Sequence, residues 1–484
     1  MGFQYNDTNK EGISLYEFLE YVLWELRNSI GLAFLAALGA TLVLLAALLL
    51  HRRKYGREKR FPWGKAMLWI VFAGYLAVVL YATVLRGAGF FRREWNLHLF
   101  RAWREAWNNF SAKNWANVLL NVAMFVPLGF LLPLLRKQFR KWYLTVPAGF
   151  AVSLGIELFQ LAVGRGICDV DDLFANTLGA AIGFFAVMLV LALAEGKKHG
   201  WGNILVYSSL LTTTIMAICS IFAVYAWQEY GNLPGAAAYS ADLSGLEWHL
   251  ACELPADVPK TSIYRNQPRK LEDCDAFAAD FSETVGTVFD DISYYQEAAY
   301  YMNHGSKNGY HFLYVHYLDE GYEYSCGYFD EPVWVETERN TLEAALEKFP
   351  LQIPENAEFV SDGDGWHSFI VERYMDGGVM IDGMLRCRYA EDGTVRNIEN
   401  DLLRYTYYGE VEILSPKQAY AQVRKGKFAG ADALKKAASD DISVISCTLE
   451  YEIDTKGFYQ PVYWFTAVIS ENEHPYRIMI PAMK

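Results

Sequence analysis

The chain has 484 residues, 53% of them hydrophobic and 20% charged, with a formal net charge of −13. That average conceals two unlike halves: residues 1–226 carry 22 Lys+Arg against 13 Asp+Glu, and the remainder carries 21 against 43. A basic, apolar first half joined to an acidic, aromatic-rich second half describes a membrane domain followed by a soluble one, and the acidity of the second half excludes nucleic acid as its partner, because phosphate neutralisation requires clustered Lys and Arg.

In chain order, residues 1–29 come first. Leu15, Leu19, Val22, Leu23 and Leu26 share one helical face, with Glu17, Glu20 and Glu25 elsewhere. This predicts an amphipathic helix at the membrane interface, or an early extension of the first membrane helix. The acidic start and the length of the first apolar run argue against a cleaved signal peptide. Six segments then reach the length of about 20 apolar residues that a bilayer crossing needs: Ile30–Leu50, Ala66–Leu85, Trp115–Leu135, Tyr143–Val163, Leu173–Ala194 and Ile204–Trp227. They define a membrane domain over residues 30–227. Basic residues crowd the connectors His51–Lys65, Arg136–Lys141 and Glu195–Asn203, which fall on one side and mark it as cytoplasmic. The N-terminus, the Asp169–Asp172 connector and the acidic half then face outward. The outward connector Arg86–Asn114 also holds Arg86, Arg92, Arg93, Arg101, Arg104 and Lys113, cations that an acidic neighbour would accommodate.

Three of these segments carry polar residues at helical spacing. Asn117 and Asn121 lie on one, Ser153, Glu157 and Gln160 on the next, and Asp172, Asn176, Gly179 and Gly183 on the third. The short connector between the last two holds Arg165, Asp169 and Asp171. Matching polar strips on neighbouring helices should face each other, with Asn121 and Asn176 donating to Glu157 and Arg86 or Arg165 offsetting its charge. The G-x-x-x-G of the third segment permits close helix contact. Pro127, Gly129 and Pro133 should loosen the first and free backbone carbonyls. Interhelical hydrogen bonding alone would explain the asparagines and glutamine, but not four carboxylates. Such a group could hold a divalent cation through oxygen ligands, or pair with the outward arginines around a phosphate or sugar headgroup. Both options stay open, and no catalytic residue is assigned.

The run from Asn117 to Pro133, with Asn121, Phe125, Pro127 and Gly129, resembles a signature of VanZ-like membrane proteins. So does the run Ser153 to Arg165 with Glu157 and Gln160, followed by Asp169, Asp171, Asp172, Asn176 and Gly179. Arg86, Asn96, Leu97 and Phe100 fit the opening of the same pattern, so the resemblance covers residues 66–194. It implies a bacterial multi-pass protein of the cell envelope, connected with resistance to glycopeptide antibiotics such as teicoplanin, and supplies no mechanism.

From Gln228 onward the sequence alternates aromatic and polar residues. Tyr310–Tyr317 and Met384–Ile398 read as strands, the second turning at Asp392-Gly393. Asn340–Phe349 reads as a short helix with Asn340 and Glu343 at capping spacing, and Ser415–Gln418 is a capping box that starts a helix over Pro416–Lys425. Strands return near Cys447–Ile453, Val462–Ile469 and Tyr476–Ile480. The expected fold is therefore an α-helical membrane bundle followed by an extracytoplasmic α+β domain with antiparallel sheets, its two parts at 228–339 and 340–484. Five cysteines in this half cannot all pair with one another; a Cys252–Cys274 bridge is conceivable, and buried free thiols are expected. His311 and His316 are five apart, on opposite faces of a strand, and so are poor joint ligands. Asp362–Gly365 reads as a turn rather than a calcium loop, and no G-x-S-x-G, H-E-x-x-H or P-loop pattern occurs. The pieces Ser415–Phe428, Phe458–Trp464 with Pro461, and Ile478–Ala482 with Pro481 are similar to YycH/YycI-type and PepSY-like extracytoplasmic repeats, a resemblance over residues 340–484 that implies a module that binds or inhibits a partner.

Together these readings describe a non-enzymatic envelope protein. Its partners are the bilayer, a lipid-linked cell-wall precursor or glycopeptide at the outward polar pocket, and a membrane protein at the tail. A membrane hydrolase or transferase acting on lipid-linked phosphate or sugar, and an extracytoplasmic regulator of a sensor kinase, are the alternatives.

Overall fold

The computed structural model describes residues 39, 41–43, 45–46, 48–53, 62–85, 92–195, 201–257, 260–266, 268–295, 298–306, 309–319, 321–327, 332–437, 441–469 and 475–484. The expected interfacial helix within residues 1–29, most of the segment Ile30–Leu50 and Arg86 lie outside these residues. Those described between 39 and 53 are helical. The chain divides into two compact units, Met1–Gln228 and Glu229–Lys484.

The first unit is helical. Helix α1 (Trp63–Leu80) runs on through a π turn at Tyr81–Leu85 and is followed by strand β1 (Arg92–Asn96) and helix α2 (Arg101–Asn109). Then come α3 (Ala112–Leu135), a 3-10 turn at Lys137–Arg140, α4 (Trp142–Val163), strand β2 (Arg165–Asp169), α5 (Val170–Glu195) and α6 (Trp201–Trp227). Five helices among the described residues are long and apolar enough to cross a membrane: Trp63–Thr83, Ala112–Leu135, Trp142–Val163, Val170–Ala194 and Trp201–Trp227. Three of them open on tryptophan, and Trp63, Trp142, Trp201 and the terminal Trp227 are all exposed. An indole has an apolar body and one N–H donor, which suits it to the boundary between acyl chains and water.

The core of the bundle is the seam between α3 and α5, which the glycines make possible. A Cβ on Gly179 would lie 2.0 Å from the Val122 carbonyl oxygen, and one on Gly183 would lie 2.0 Å from that of Val126. Gly129 of α3 answers from the other side, 1.9 Å by the same measure from the Ala180 carbonyl oxygen. The two backbones therefore touch, as the four-residue glycine spacing leads one to expect. Helix α3 stays continuous through Pro127 and Pro133. Near Pro127 the Tyr75 hydroxyl of α1 donates to the Met124 carbonyl at 2.9 Å, a hydrogen bond that ties α1 to α3.

The second unit is a large sheet with helices laid on it. Its elements are β3 (Glu247–Leu250), β4 (Lys260–Arg265), α7 (Leu271–Val285), β5 (Asp291–Tyr294), β6 (Ala298–Ser306), β7 (Gly309–His316), β8 (Tyr322–Gly327) and α8 (Arg339–Leu346). They continue with β9 (Glu358–Gly363), β10 (Trp366–Asp376), β11 (Val379–Tyr389), β12 (Val395–Glu412), α9 (Pro416–Arg424), α10 (Ala431–Ala437), β13 (Asp441–Ile453), β14 (Phe458–Ile469) and β15 (Tyr476–Pro481). The strand order is β3-β13-β14-β4-β12-β8-β7-β6-β5, with β11, β10 and β9 extending from β12 and β15 pairing with β14. Pairing in this unit is antiparallel except between β3 and β13. The long strand β12 joins the sheet's two parts: Asn397–Asn400 pair with β8, and Thr406–Glu412 pair with β4. Helices α7 and α8 pack Phe281, Leu342 and Leu346 against Leu313, Tyr322 and Phe369, while α9 and α10 pack Ala419, Val423 and Leu434 against Ile442, Phe465 and Ile478.

The capping box is present as read. Ser415 Oγ accepts from the Gln418 amide at 3.2 Å, and Gln418 Oε1 accepts from the Ser415 amide at 3.0 Å. Helix α8 differs from expectation: Glu338 precedes it with no side-chain cap, and Glu343 pairs instead with Arg339 at 2.7 Å. Arg339 also donates to the Ala357 carbonyl at 2.8 Å, a tertiary contact that fixes the helix start earlier than Asn340. Asp364 and Gly365 both adopt positive φ between Gly363 and Trp366, the geometry of a tight hairpin turn. All seven cysteines are free thiols, so Cys252 and Cys274 are not bridged.

Candidate functional site

Strands β1 and β2 run parallel, with Asn96 opposite Asp169. This short ladder ties the connector before α2 to the one before α5, and it sets the acidic residues in fixed places. Asn96 Nδ2 donates to Asp169 Oδ2 at 2.9 Å. The Asp169 amide donates to Glu157 Oε2 at 3.0 Å, and the Asp171 amide donates to Asp169 Oδ1 at 2.8 Å. A chain of hydrogen bonds therefore leads from β1 through the connector to α4.

Asp171 has a different task from its neighbours. It is buried, and its two carboxylate oxygens accept from the amides of Phe100 and Ala102, the latter at 2.7 Å. It therefore caps the N-terminus of α2 from another helix, where an anion meets unpaired N–H groups and the positive end of the helix dipole. Phe100 sits at φ 67°, a left-handed conformation uncommon for a bulky residue, and its ring meets Phe174 edge-on at 5.2 Å. The Asp171 cap and that ring contact hold the strained turn.

Inside the bundle the polar strips meet, with partners other than those expected. Asn121 Nδ2 donates to Asp172 Oδ1 across the α3–α5 seam. Asn176 Nδ2 donates to Ser153 Oγ at 3.0 Å between α5 and α4. Neither asparagine donates to Glu157, because the close α3–α5 contact sets Asn121 beside Asp172 and the α4–α5 contact sets Asn176 beside Ser153. Gln160 turns to a third neighbour and donates to the Thr83 carbonyl of the π turn at 2.6 Å, so it separates from Ser153 and Glu157. Asn117 is exposed on the outside of α3 and does not join the cluster, although it lies one turn from Asn121. The backbone of Arg165 lies in β2, its side chain is outside the description, and Arg86 is outside it altogether.

What remains is an acceptor-rich seam. Ser153, Glu157 and Asn176 are buried, and Asn176 Oδ1 has no hydrogen-bond partner among the described residues. Asp169 and Asp172 are near enough to act electrostatically on Glu157. The Asp169 carboxyl, in the connector, is held above its usual range by burial; the Asp171 charge adds to this, while the Asn96 amide, the Asp171 amide and Arg101 oppose it. The four carboxylates do not draw their oxygens into one compact set of ligand atoms. Among the described residues that arrangement belongs to Glu247, His249 and Asp441 in the second unit. In the tail, His311 and His316 point to opposite faces of β7 with separate partners, Tyr324 at 2.9 Å and Asp319 at 3.0 Å.

Sequence reasoning placed Ser153 in the polar strip without a partner and gave Asn96 no part in the site. Asn96 enters only through the β1–β2 ladder, a pairing across more than seventy residues. The one trace of it in the sequence is its place ahead of Phe100 in the family's opening pattern.

Residues 66–191 match the family model described as VanZ/LLP1 and constitute a VanZ-like domain. No curated protein matches the chain. Among solved structures, the C-terminal domain of YpeB from Bacillus megaterium is similar at 12% identity, covering 45% of this chain and 95% of that domain, with a TM-score of 0.14. This is a weak match to the C-terminal region.

Proposed function

We propose that this chain is a bacterial envelope protein that receives the headgroup of a lipid-linked cell-wall precursor in the seam between α4, α5 and the β1–β2 ladder. Its acidic tail lies outside the membrane and engages a partner there. The observation that carries this reading is the grouping of Glu157, Asp169 and Asp172 around buried polar atoms, with the Asn176 oxygen unpartnered among the described residues. Buried like charges are unfavourable unless protons, cations or hydrogen-bond donors reach them. Interhelical glue would use the asparagines and serine and omit the acids. A seam rich in acceptors suits a ligand that brings donors, as the hydroxyl and amine groups of a sugar headgroup do. Sequestering such a headgroup would alter exposure of the cell-wall precursors that glycopeptides of the teicoplanin type recognise, which connects the seam to the resistance that the family resemblance implies.

Glu157→Gln and Asp172→Asn variants test this. Each is expected to insert and accumulate like the parent and to lose its envelope or glycopeptide-susceptibility phenotype. If both protect cells as well as the parent does, the headgroup reading fails.

A further inference from the structure

The second unit offers a site of another kind, on the opposite sort of surface. Strand β3 is the outermost strand of the sheet and pairs in parallel with β13, Asp441 opposite Glu247 and Ser443 opposite His249. Residues two apart on a strand share a face, and directly paired residues of adjacent strands share it too. Glu247, His249 and Asp441 therefore project from one side. The residue between the first two, Trp248, faces the other way, packs on the second core and meets Tyr420 edge-on at 6.5 Å. A further backbone bond, from the Ala251 amide to the Val444 carbonyl at 2.9 Å, extends the pairing past the end of β3. The backbone beneath the three side chains is thus held by the β3–β13 pairing.

Their donor atoms converge. His249 Nε2 lies 3.5 Å from Asp441 Oδ1, and one ligand atom from each of the three residues falls within 4.8 Å of the others. Ligand atoms on a tetrahedral zinc ion at bonds of about 2.0–2.1 Å stand roughly 3.3 Å apart. The His249–Asp441 pair already has that spacing. All three side chains are exposed, so the Glu247 carboxylate is free to close the remaining distance. With the imidazole neutral, two carboxylates give the set a charge that a divalent ion cancels.

We propose that Glu247, His249 and Asp441 form a binding site for a borderline divalent transition-metal ion, Zn²⁺ being the representative case. One imidazole and two carboxylates favour zinc, cobalt or nickel over calcium or magnesium, which take all-oxygen shells. Three protein ligands leave a coordination position open toward solvent, where a water or an anionic group of another molecule completes the shell. The ion also clamps the edge strand β3 to β13, so binding should raise the stability of the tail by mass action. This site is separate from the membrane seam, and neither reading depends on the other.

The test uses the full chain in detergent after treatment with a chelator, titrated with ZnCl₂ by calorimetry and with a competing fluorescent zinc chelator. The expected result is saturable binding that millimolar MgCl₂ does not displace. Glu247→Gln, His249→Ala and Asp441→Asn should each weaken it at least tenfold, and zinc should raise the melting temperature of the parent and not of His249→Ala. A Cys252→Ser/Cys447→Ser double variant should bind as the parent does. Absence of saturable binding in the parent would overturn the proposal. So would undiminished binding by His249→Ala and Glu247→Gln, or loss of binding in the double cysteine variant.

Discussion

Replacing Asp171 separates a carboxylate that builds the connector before α2 from those proposed to meet a headgroup. Asp171 is 2% exposed and accepts two backbone hydrogen bonds at the start of α2, from Phe100 and from Ala102. A hydrogen bond to a charged group contributes about 1.5–3 kcal/mol, and a buried donor left without a partner carries a further penalty. Asp171→Ala removes both acceptors at once, but α2 is half-exposed and water reaches part of its first turn. The expected loss is therefore about 3 kcal/mol, toward the lower end of the doubled range. Asp171→Asn keeps one acceptor oxygen and turns an NH₂ group toward the second amide, so it should lose roughly half as much. Unfolding of the detergent-solubilised chain, followed by tryptophan fluorescence, reads this directly, because Trp103 of α2 meets Trp115 at 6.5 Å and should report release of the helix. Limited proteolysis of the connector around Phe100 gives a second reading, faster in the alanine variant. An Asp171→Ala protein within about 0.5 kcal/mol of the parent, with its connector no more cleavable, would refute the cap. On the headgroup proposal Glu157 should behave oppositely: Glu157→Gln is expected to lose phenotype while keeping stability.

Three further outcomes follow from the packing. Gly183→Leu or Gly179→Val places side-chain carbon 2.0 Å from an α3 carbonyl and should cost about 3 kcal/mol or more by separating α3 from α5, measured as lost thermal stability in detergent. Wild-type melting in either variant would contradict backbone contact there. Asp454 is fully buried and accepts from the amides of Gly231 at 2.6 Å, Lys456 at 2.7 Å and Phe458 at 3.0 Å. Asp454→Ala leaves these donors unpaired and should destabilise the tail by about 3 kcal/mol or more in denaturant unfolding, whereas a loss under about 1 kcal/mol would show that water replaces the carboxylate. His316 is disfavoured as a cation by burial, but Asp319, Asp401 and Glu323 outweigh that and raise its pKa above the ordinary 6.5. A raised folded-state value means that the protonated form stabilises the tail below the ordinary imidazole range, and that this contribution fades as pH rises through the folded value. Stability of the parent should therefore fall over that interval relative to His316→Ala; parallel stability–pH curves for the two would remove His316 as the cause.

Much of this protein was legible in its residues one by one. Helix length and apolarity mark the five spans because lipid cannot satisfy a backbone amide, so each crossing must complete its own hydrogen bonds. Spacing alone placed Gly179 and Gly183 on one face, and Ser415, Pro416 and Gln418 at a helix start, because these effects act within one or two turns. The sequence also showed that Glu157, Asp172 and Asn176 carry polar groups into the membrane. It could not choose their partners. That was decided by how the helices meet: the α3–α5 seam set Asn121 on Asp172, and the approach of α4 to the π turn after α1 sent Gln160 to Thr83, while Asn117 stayed exposed. Asp171 looked like one acid among four until the β1–β2 ladder brought the α2 terminus onto it. The Glu247, His249 and Asp441 cluster likewise exists only because β3 and β13, nearly two hundred residues apart, pair in parallel with Asp441 opposite Glu247. Periodicity is a property of one segment, whereas a hydrogen-bond partner or a ligand set is a property of two, and register between distant segments is fixed only when the whole chain packs.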